Sequence, residues 1–244
     1  MRQLRFFVPI EFLVGHTYEI PPDKARHMLQ VLRLSVGAEL ILFNGDGNEY
    51  LANLTEVSKK SASVFIQKSS SVSRESSLHI HLVQGISKGD RMDATIQKCV
   101  ELGVSKICPV KTARSNVKIE GSRLDKKVLH WRGIVQSACE QSGRNVIPEL
   151  ASINQLEMVL AQYAKADYLK LVLNPESSIS ISELPNDFKV VVLLVGPEGG
   201  FSEQELTMAE KAGFLSLSLG PRVLRTETAA MAFLSILQSR WGDI

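Results

Sequence analysis

The sequence predicts an α/β fold: a mostly parallel sheet covered on both faces, preceded by a small β-rich module. Three observations carry this reading. Strands alternate with helices from residue 78 onward, several of those strands are apolar throughout, and the hydrophobic period changes at the serine-rich stretch "SSSVSRESS" (Ser69 to Ser77). At 244 residues, with 44% hydrophobic and 22% charged side chains, the chain can bury a sizeable core.

The elements follow in order. "PDKARHMLQVLRL" sets Ala25, Met28, Leu29 and Leu32 at helical spacing. "AELILFNGDGNEYLANLTEV" gives two apolar-rich segments around "NGDG", a strong hairpin signal, and "SASVFIQ" adds a further strand. Residues 1–70 therefore read as a small β-rich domain, 71–77 as a linker and 78–244 as the main domain. In the main domain "LHIHLVQGI" (78–86) is a strand, and "DRMDATIQKCVELG" is a helix with Met92, Ile96, Cys99 and Val100 on one face, closed by Gly103. The strand "KICPV" comes next, then a long helix near Ser122 to Ser142 ended by Gly143. Trp131, in "VLHWRGIV", is expected in a helix interface, within the chain or between subunits. A helix opens at Ser152, where Ser152 and Gln155 form a capping box. The strands "YLKLVL" (168–173) and "KVVVLLV" (189–195) follow, then a helix capped by Ser202 and Glu205 and ended by Gly213, the strand "FLSLSL" (214–219), and the final helix "TETAAMAFLSILQSRW".

Charge and composition exclude several classes. No apolar run reaches the roughly 18 residues of a membrane span. "MRQLRFFVPIEF" carries an acid at position 11 and no small-residue cleavage site, so no signal peptide is expected and the location reads as cytoplasmic. Cys99, Cys108 and Cys139 are odd in number without a CxxC pair, which suits reduced, buried thiols. His79 and His81 share a strand face but no third ligand is evident, so no metal is expected. The net charge of +2 hides an asymmetry: residues 84–145 carry 12 basic and 6 acidic side chains, whereas 146–244 carry 7 and 12. The positive stretch suits a phosphate-bearing partner.

Three late strands end in unusual loops, "LNPESS" after 173, "GPEGGF" after 195 and "GPRVLRTE" after 219. Glycines let backbone approach a ligand closely, and Pro175, Pro197 and Pro221 pre-set φ. Gly-Pro turns also punctuate ordinary βα units, but three of them at strand ends point to a composite pocket, since ligands of parallel sheets bind beyond the carboxyl ends of the strands. There is no "GxxxxGK[ST]" and no GxGxxG fingerprint. The acidic balance of this region suits a neutral or cationic adenosyl compound better than a triphosphate.

"LLVGPEGGFSEQEL" with "LSLGPRVLRTETAAMAFLSIL" resembles the RsmE family of ribosomal RNA uridine-N3 methyltransferases, in the knotted SPOUT superfamily. "HMLQVLRL" (27–34) and "FNGDGNEY" (43–50) look like that family's N-terminal PUA-like domain, and "KGDRMDATIQKCVELGV" (88–104), "RSNVK" (114–118) and "EQSGRNVIPE" (140–149) like its central motifs. The resemblance implies a SPOUT-type sheet with a deep C-terminal trefoil knot, roughly within 170–244. It also implies a homodimer, S-adenosylmethionine as methyl donor with S-adenosylhomocysteine as product, and a uridine of 16S rRNA in the small ribosomal subunit as acceptor. It places Leu173, Asn174, Gly196, Pro197, Glu198, Gly199, Gly200, Leu219, Gly220, Leu224, Arg225 and Thr228 around the cofactor.

Methylating a ring nitrogen requires holding it in line with the methyl and letting a weakly acidic N–H proton depart. Arg225 is the expected cation beside the developing uridine anion; its alternative is a helix cap or a partner for Glu227. Glu198 is the second catalytic candidate, orienting the cofactor or accepting a proton through water, against a plain loop carboxylate. Arg26, Arg33, Lys88, Arg91, Arg114, Lys118 and Arg144 are the RNA-contact candidates. Two other readings stay open, a SPOUT ribose 2′-O-methyltransferase of tRNA or rRNA and a non-catalytic rRNA-binding assembly factor. The product nucleoside separates the first, and loss of transfer with retained RNA affinity on changing Arg225 separates the second.

Overall fold

The computed structural model describes residues 4–58, 61–115, 121–184 and 188–244, and these form two compact units. The described residues up to Glu75, together with Cys139–Ile147, make the first; Ser76–Ala138 and Pro148–Ile244 make the second.

The first unit contains β1 (Arg5–Phe7), β2 (Thr17–Glu19), α1 (Pro22–Arg26), β3 (Glu39–Phe43), β4 (Asn48–Val57) and β5 (Ala62–Ser71), with a sheet order of β1-β3-β4-β5-β2. The "NGDG" turn closes β3 onto β4 as expected, with Leu42 opposite Tyr50. Asn44 Oδ1 accepts the Asp46 N–H, and Asp46 in turn accepts from the Asn48 N–H and the Tyr50 hydroxyl. Alternate strand residues Leu40, Leu42, Ala52, Leu54, Val64 and Ile66 pack on Ala25 and Met28. The helical stretch departs from its 3.6 period: after α1 it continues as a π-turn over His27–Val31, with the Leu32 N–H donating to His27 O. The wider turn carries Leu32 to the surface, 36% exposed. The stretch that reads as a linker is anchored. β5 runs on through Ser71, Asn145 Nδ2 donates to Val72 O, and Arg74 donates to Glu49 and to Gly143 O.

The second unit contains β6 (His79–Gly85), α2 (Asp90–Glu101), β7 (Lys106–Lys111), most of α3 (Ser122–Ser142), β8 (Glu149–Leu150), β9 (Asn154–Gln155), α4 (Leu156–Tyr163), β10 (Leu169–Leu173), β11 (Val190–Val195), α5 (Glu203–Lys211), β12 (Leu215–Leu217) and α6 (Thr226–Trp241). The strand order is β12-β10-β11-β6-β7-β8, with β9 beside β7, and every pairing among the described residues is parallel. Both faces are covered, which explains why β11 reads "VVVLLV" with no polar alternation. Val192 and Leu194 join Val159, Leu160, Ala209 and Phe214 under α4 and α5, while α6 packs against α2 and β11. Trp131 is fully buried and its Nε1 donates to Asp93 Oδ1 of α2 at 3.0 Å, so its interface lies within the chain. Gly143 ends α3, its N–H donating to Cys139 O.

The Ser152–Gln155 capping box does not form. Asn154 and Gln155 are drawn into the ladder beside Val110 and Lys111, and α4 opens only at Leu156, without a side-chain cap. Main-chain pairing wins here over a side-chain cap of about 1 kcal/mol. At the other end of α4, the buried Lys170 donates from Nζ to the carbonyls of Tyr163, Ala164 and Ala166, capping the helix from the neighbouring strand. The three cysteines are free and buried. Burial pushes the thiols of Cys99 and Cys139 up to about 12, so both stay protonated and unreactive. No described helix is long and apolar enough to cross a membrane.

His81 on β6 packs its ring on Tyr163 and Tyr168, and its Nδ1 meets the Tyr163 hydroxyl at 3.1 Å. Burial first, then the charges of Lys106 and His79, hold its pKa below the ordinary 6.5. On acidification the unfolded chain therefore takes up this proton before the folded one does. Its stabilising contribution is complete above about pH 6.5 and falls as pH drops below it. In His81→Phe, which keeps an aromatic ring against both tyrosines, urea midpoints between pH 6.5 and 5 should fall less steeply than in the wild type; parallel slopes would contradict the assignment.

Candidate functional site

The order β12-β10-β11 makes neighbours of the three strands whose loops stood out in the sequence. Their C-terminal ends open into one cavity of about 820 Å³, within the range of small-molecule sites. Leu173 and Asn174 line it after β10; Gly196, Pro197, Glu198, Gly199 and Gly200 after β11; Leu219, Gly220, Leu224 and Arg225 after β12. Thr228 does not. It is exposed on α6, and Thr226 and Ala229 face the cavity from that helix instead. Phe201, Leu217 and Arg222 also line it, unforeseen in the sequence.

A loop with three glycines needs anchoring, and each anchor can be named. Gly200 has φ +66, a conformation that glycine adopts freely, and its N–H donates to Pro197 O to close the turn. From below, a Cβ on Gly85 would come within 2.6 Å of Pro197 Cδ and 2.7 Å of its N, so the end of β6 lies directly against the loop. Gly196 O accepts the Thr226 hydroxyl at 2.6 Å. The wholly buried Gln84 donates from Nε2 to Thr226 Oγ1 at 3.0 Å, more distantly to Gly196 O, and leaves its Oε1 without a partner. A lone glutamine in the apolar run "HIHLVQG" is the signal by which this node could have been found in the sequence.

Two carboxylates hold the rest. Glu205 forms the predicted capping box with Ser202, and it also accepts the Ala113 N–H at 2.7 Å, which joins α5 to the loop after β7. Glu198 Oε1 accepts the Lys88 N–H at 2.9 Å and Arg91 Nη1 at 3.0 Å. Partial burial pulls the Glu198 carboxyl upward, but these hydrogen bonds and the Arg91 charge outweigh it, and the group sits below its ordinary value. It is ionised at neutral pH, with both donors on Oε1. Arg114 Nη1 donates to Gly199 O at 3.1 Å.

The RNA-contact candidates therefore separate. Arg91 and Arg114 stand on the cavity rim, and the Lys88 side chain is exposed just before Arg91 in sequence. Arg26 and Arg33 are exposed on the first unit, Arg33 with a left-handed φ of +55. Arg144 is only 4% exposed and ion-paired to Glu75, so its guanidinium is committed inside the protein and is not on the phosphate-facing surface. Lys118 lies outside the described residues. Arg225 is exposed at the N-cap of α6. Among the described residues it forms no ion pair with Glu227, whose Oε2 is buried without a partner. No group of three metal-ligating side chains occurs among the described residues.

Residues 74–238 match the model of the RNA methyltransferase domain, and residues 20–67 that of the RNA methyltransferase PUA domain. The ribosomal RNA small subunit methyltransferase E of Buchnera aphidicola from Schizaphis graminum is 35% identical over 243 residues, covering 98% of this chain and 97% of that protein. The Bacillus subtilis protein of the same name is 31% identical over 229 residues, 91% of this chain and 89% of that one. Among solved structures, a Legionella pneumophila methyltransferase in complex with its cofactor SAM is similar at a TM-score of 0.96 and 45% identity, over 100% of both chains. A Neisseria gonorrhoeae ribosomal RNA small subunit methyltransferase E bound to S-adenosyl methionine is similar at 0.93 and 40%, again over 100% of both.

In Gly85→Ala the added methyl would press on the Pro197 backbone, so thermal unfolding should show a loss of about 1–3 kcal/mol. An unchanged midpoint would mean that β6 does not support the loop.

Proposed function

Because the chain belongs to the RNA methyltransferase family, we propose that it transfers a methyl group from S-adenosylmethionine to N3 of a uridine in the 16S rRNA of the small ribosomal subunit. The observation that carries the reading is the single cavity built from the three strand-end loops. Its walls fit the donor. Leu173, Leu217, Leu219 and Leu224 offer apolar contact for a base, and the glycine-rich turns present main-chain groups to a ribose and an amino acid moiety. Bound there, S-adenosylmethionine supplies an electrophilic methyl on a positively charged sulfur. The methyl would pass to N3 with the carbon–sulfur electron pair staying on the leaving S-adenosylhomocysteine and the N3 proton passing to water.

The protein's own contribution is position and charge. Arg225, exposed on the cavity wall and free of Glu227, is placed to stabilise the negative charge that develops on the uracil ring. Glu198 is a weak base, because the hydrogen bonds from Lys88 and Arg91 and the Arg91 charge stabilise its carboxylate and hold its pKa below the ordinary value; its role in this reading is to fix the glycine loop. Lys88, Arg91 and Arg114 on the second unit and Arg26 and Arg33 on the first are the cations assigned to RNA phosphates.

The reading carries a cytoplasmic location, a homodimer and a C-terminal knot. α6 leaves Thr228 and Ile236 exposed for a second copy. The knot is supported by the chain path: from β12 on the sheet edge, α6 crosses to α2, which follows β6 beyond β11.

Incubation of the protein with labelled S-adenosylmethionine and small subunits lacking the modification should yield 3-methyluridine by nucleoside mass spectrometry. A ribose-methylated product would overturn the chemistry, and no transfer would overturn the enzyme. Arg225→Met should lower kcat about 100-fold while S-adenosylhomocysteine still binds.

A further inference from the structure

Two arginines on the cavity rim each do one structural task with part of a side chain that can do more. Arg91, at the start of α2, reaches Glu198 with Nη1 at 3.0 Å, and its side chain remains 45% exposed. Arg114, in the loop after β7, reaches Gly199 O with Nη1 at 3.1 Å and is likewise exposed. They grip adjacent residues of the glycine turn from two different elements, and both line the cavity. A guanidinium carries five donors, so one bond to the loop leaves most of each fork free. Neither arginine is held by any carboxylate other than Glu198 among the described residues.

We infer that Arg91 and Arg114 are positioning residues that couple RNA binding to cofactor binding, holding the Glu198–Gly199 turn with one N–H each and an RNA phosphate with the rest. The inference rests on the function proposed above. The glycine turn is the cavity wall with the most conformational freedom, and ordering it costs free energy that cofactor binding must offset. An RNA phosphate that immobilises the two guanidinium groups orders the same turn. Each ligand then finds part of that ordering already done, and the coupling is positive and reciprocal. The phosphate need not displace Glu198, because a planar fork can serve two acceptors at once.

The test is equilibrium dialysis of labelled S-adenosylhomocysteine, with and without saturating small subunits lacking the modification. It is run on the wild type, on Arg91→Met and Arg114→Met singly and together, and on Arg91→Lys. Subunits should tighten S-adenosylhomocysteine binding to the wild type about fivefold or more. The double variant should lose this tightening, as well as binding the compound several-fold more weakly alone. Arg91→Lys, which keeps a cation opposite Glu198, should retain more of the coupling than Arg91→Met. Tightening that persists in the double variant, or is absent from a wild type that methylates the same subunits, overturns the inference and leaves the function intact. A wild type that does not methylate them overturns the function itself. Both side chains are exposed and off the core, and matched melting curves will separate lost coupling from lost folding.

Discussion

The second unit depends on where the chain between Gly196 and Phe201 is held. A turn containing three glycines loses more conformational entropy on ordering than any comparable stretch, and left to itself it would not form a wall. It is fixed instead at each step. Pro197 rests on the bare backbone of Gly85, Gly196 O receives Thr226, Glu198 receives Lys88 and Arg91, and Gly199 O receives Arg114. Glu205 then fixes Ser202 and Ala113 just beyond the turn. These anchors come from β6, from the loop after β7 and from the starts of α2, α5 and α6. The cavity is thus a property of the whole sheet edge and not of a local motif.

That distribution explains what could and could not be read from the sequence. The three loops were legible, because Gly- and Pro-bearing turns that elsewhere only punctuate βα units here fall at the ends of three strands close together in sequence. Their convergence on a composite pocket was expected too, but the strand order that produces it was not. The convergence follows from β12 returning to lie beside β10, a placement that alternating strands and helices do not dictate. Residue-level outcomes divide on the same ground. The capping box of Ser202 and Glu205 is local and formed as expected, whereas that of Ser152 and Gln155 yielded to a ladder with β7 that no local pattern announces. Thr226 lies two positions from the expected Thr228, and a helical rotation of that size decides which threonine faces the cavity. Arg144 looked like a surface cation, and only its tertiary contact with Glu75 shows that it is buried and paired. The family resemblance supplied the chemistry, which spacing and composition alone could bring no further than a neutral or cationic adenosyl ligand.

Charge is distributed with the same economy. In the described structure, the two carboxylates that hold the glycine turn are occupied: Glu198 by two donors and Glu205 by three. The cations around it are only partly engaged. Arg91 and Arg114 each give one donor to the loop, and Arg225 gives none to Glu227. Partly free cations beside a turn whose own carboxylates are satisfied suit a site that must admit a positively charged donor and a polyanion. This arrangement, more than net charge, separates the cavity from a generic anion site, and it accounts for an acidic C-terminal half that serves an RNA substrate.

The central claim is that the anchored glycine turn makes the cofactor site, and calorimetric titration of S-adenosylmethionine tests it most directly. The comparison is between the wild type and Gly199→Val, whose new side chain starts from a Cβ only 3.0 Å from Arg114 Cβ. The wild type should bind one molecule per chain, and the variant, folded by its melting curve, should bind at least about tenfold more weakly, a difference of about 1.4 kcal/mol. Equal affinity in the two proteins would place the cofactor elsewhere and contradict the account.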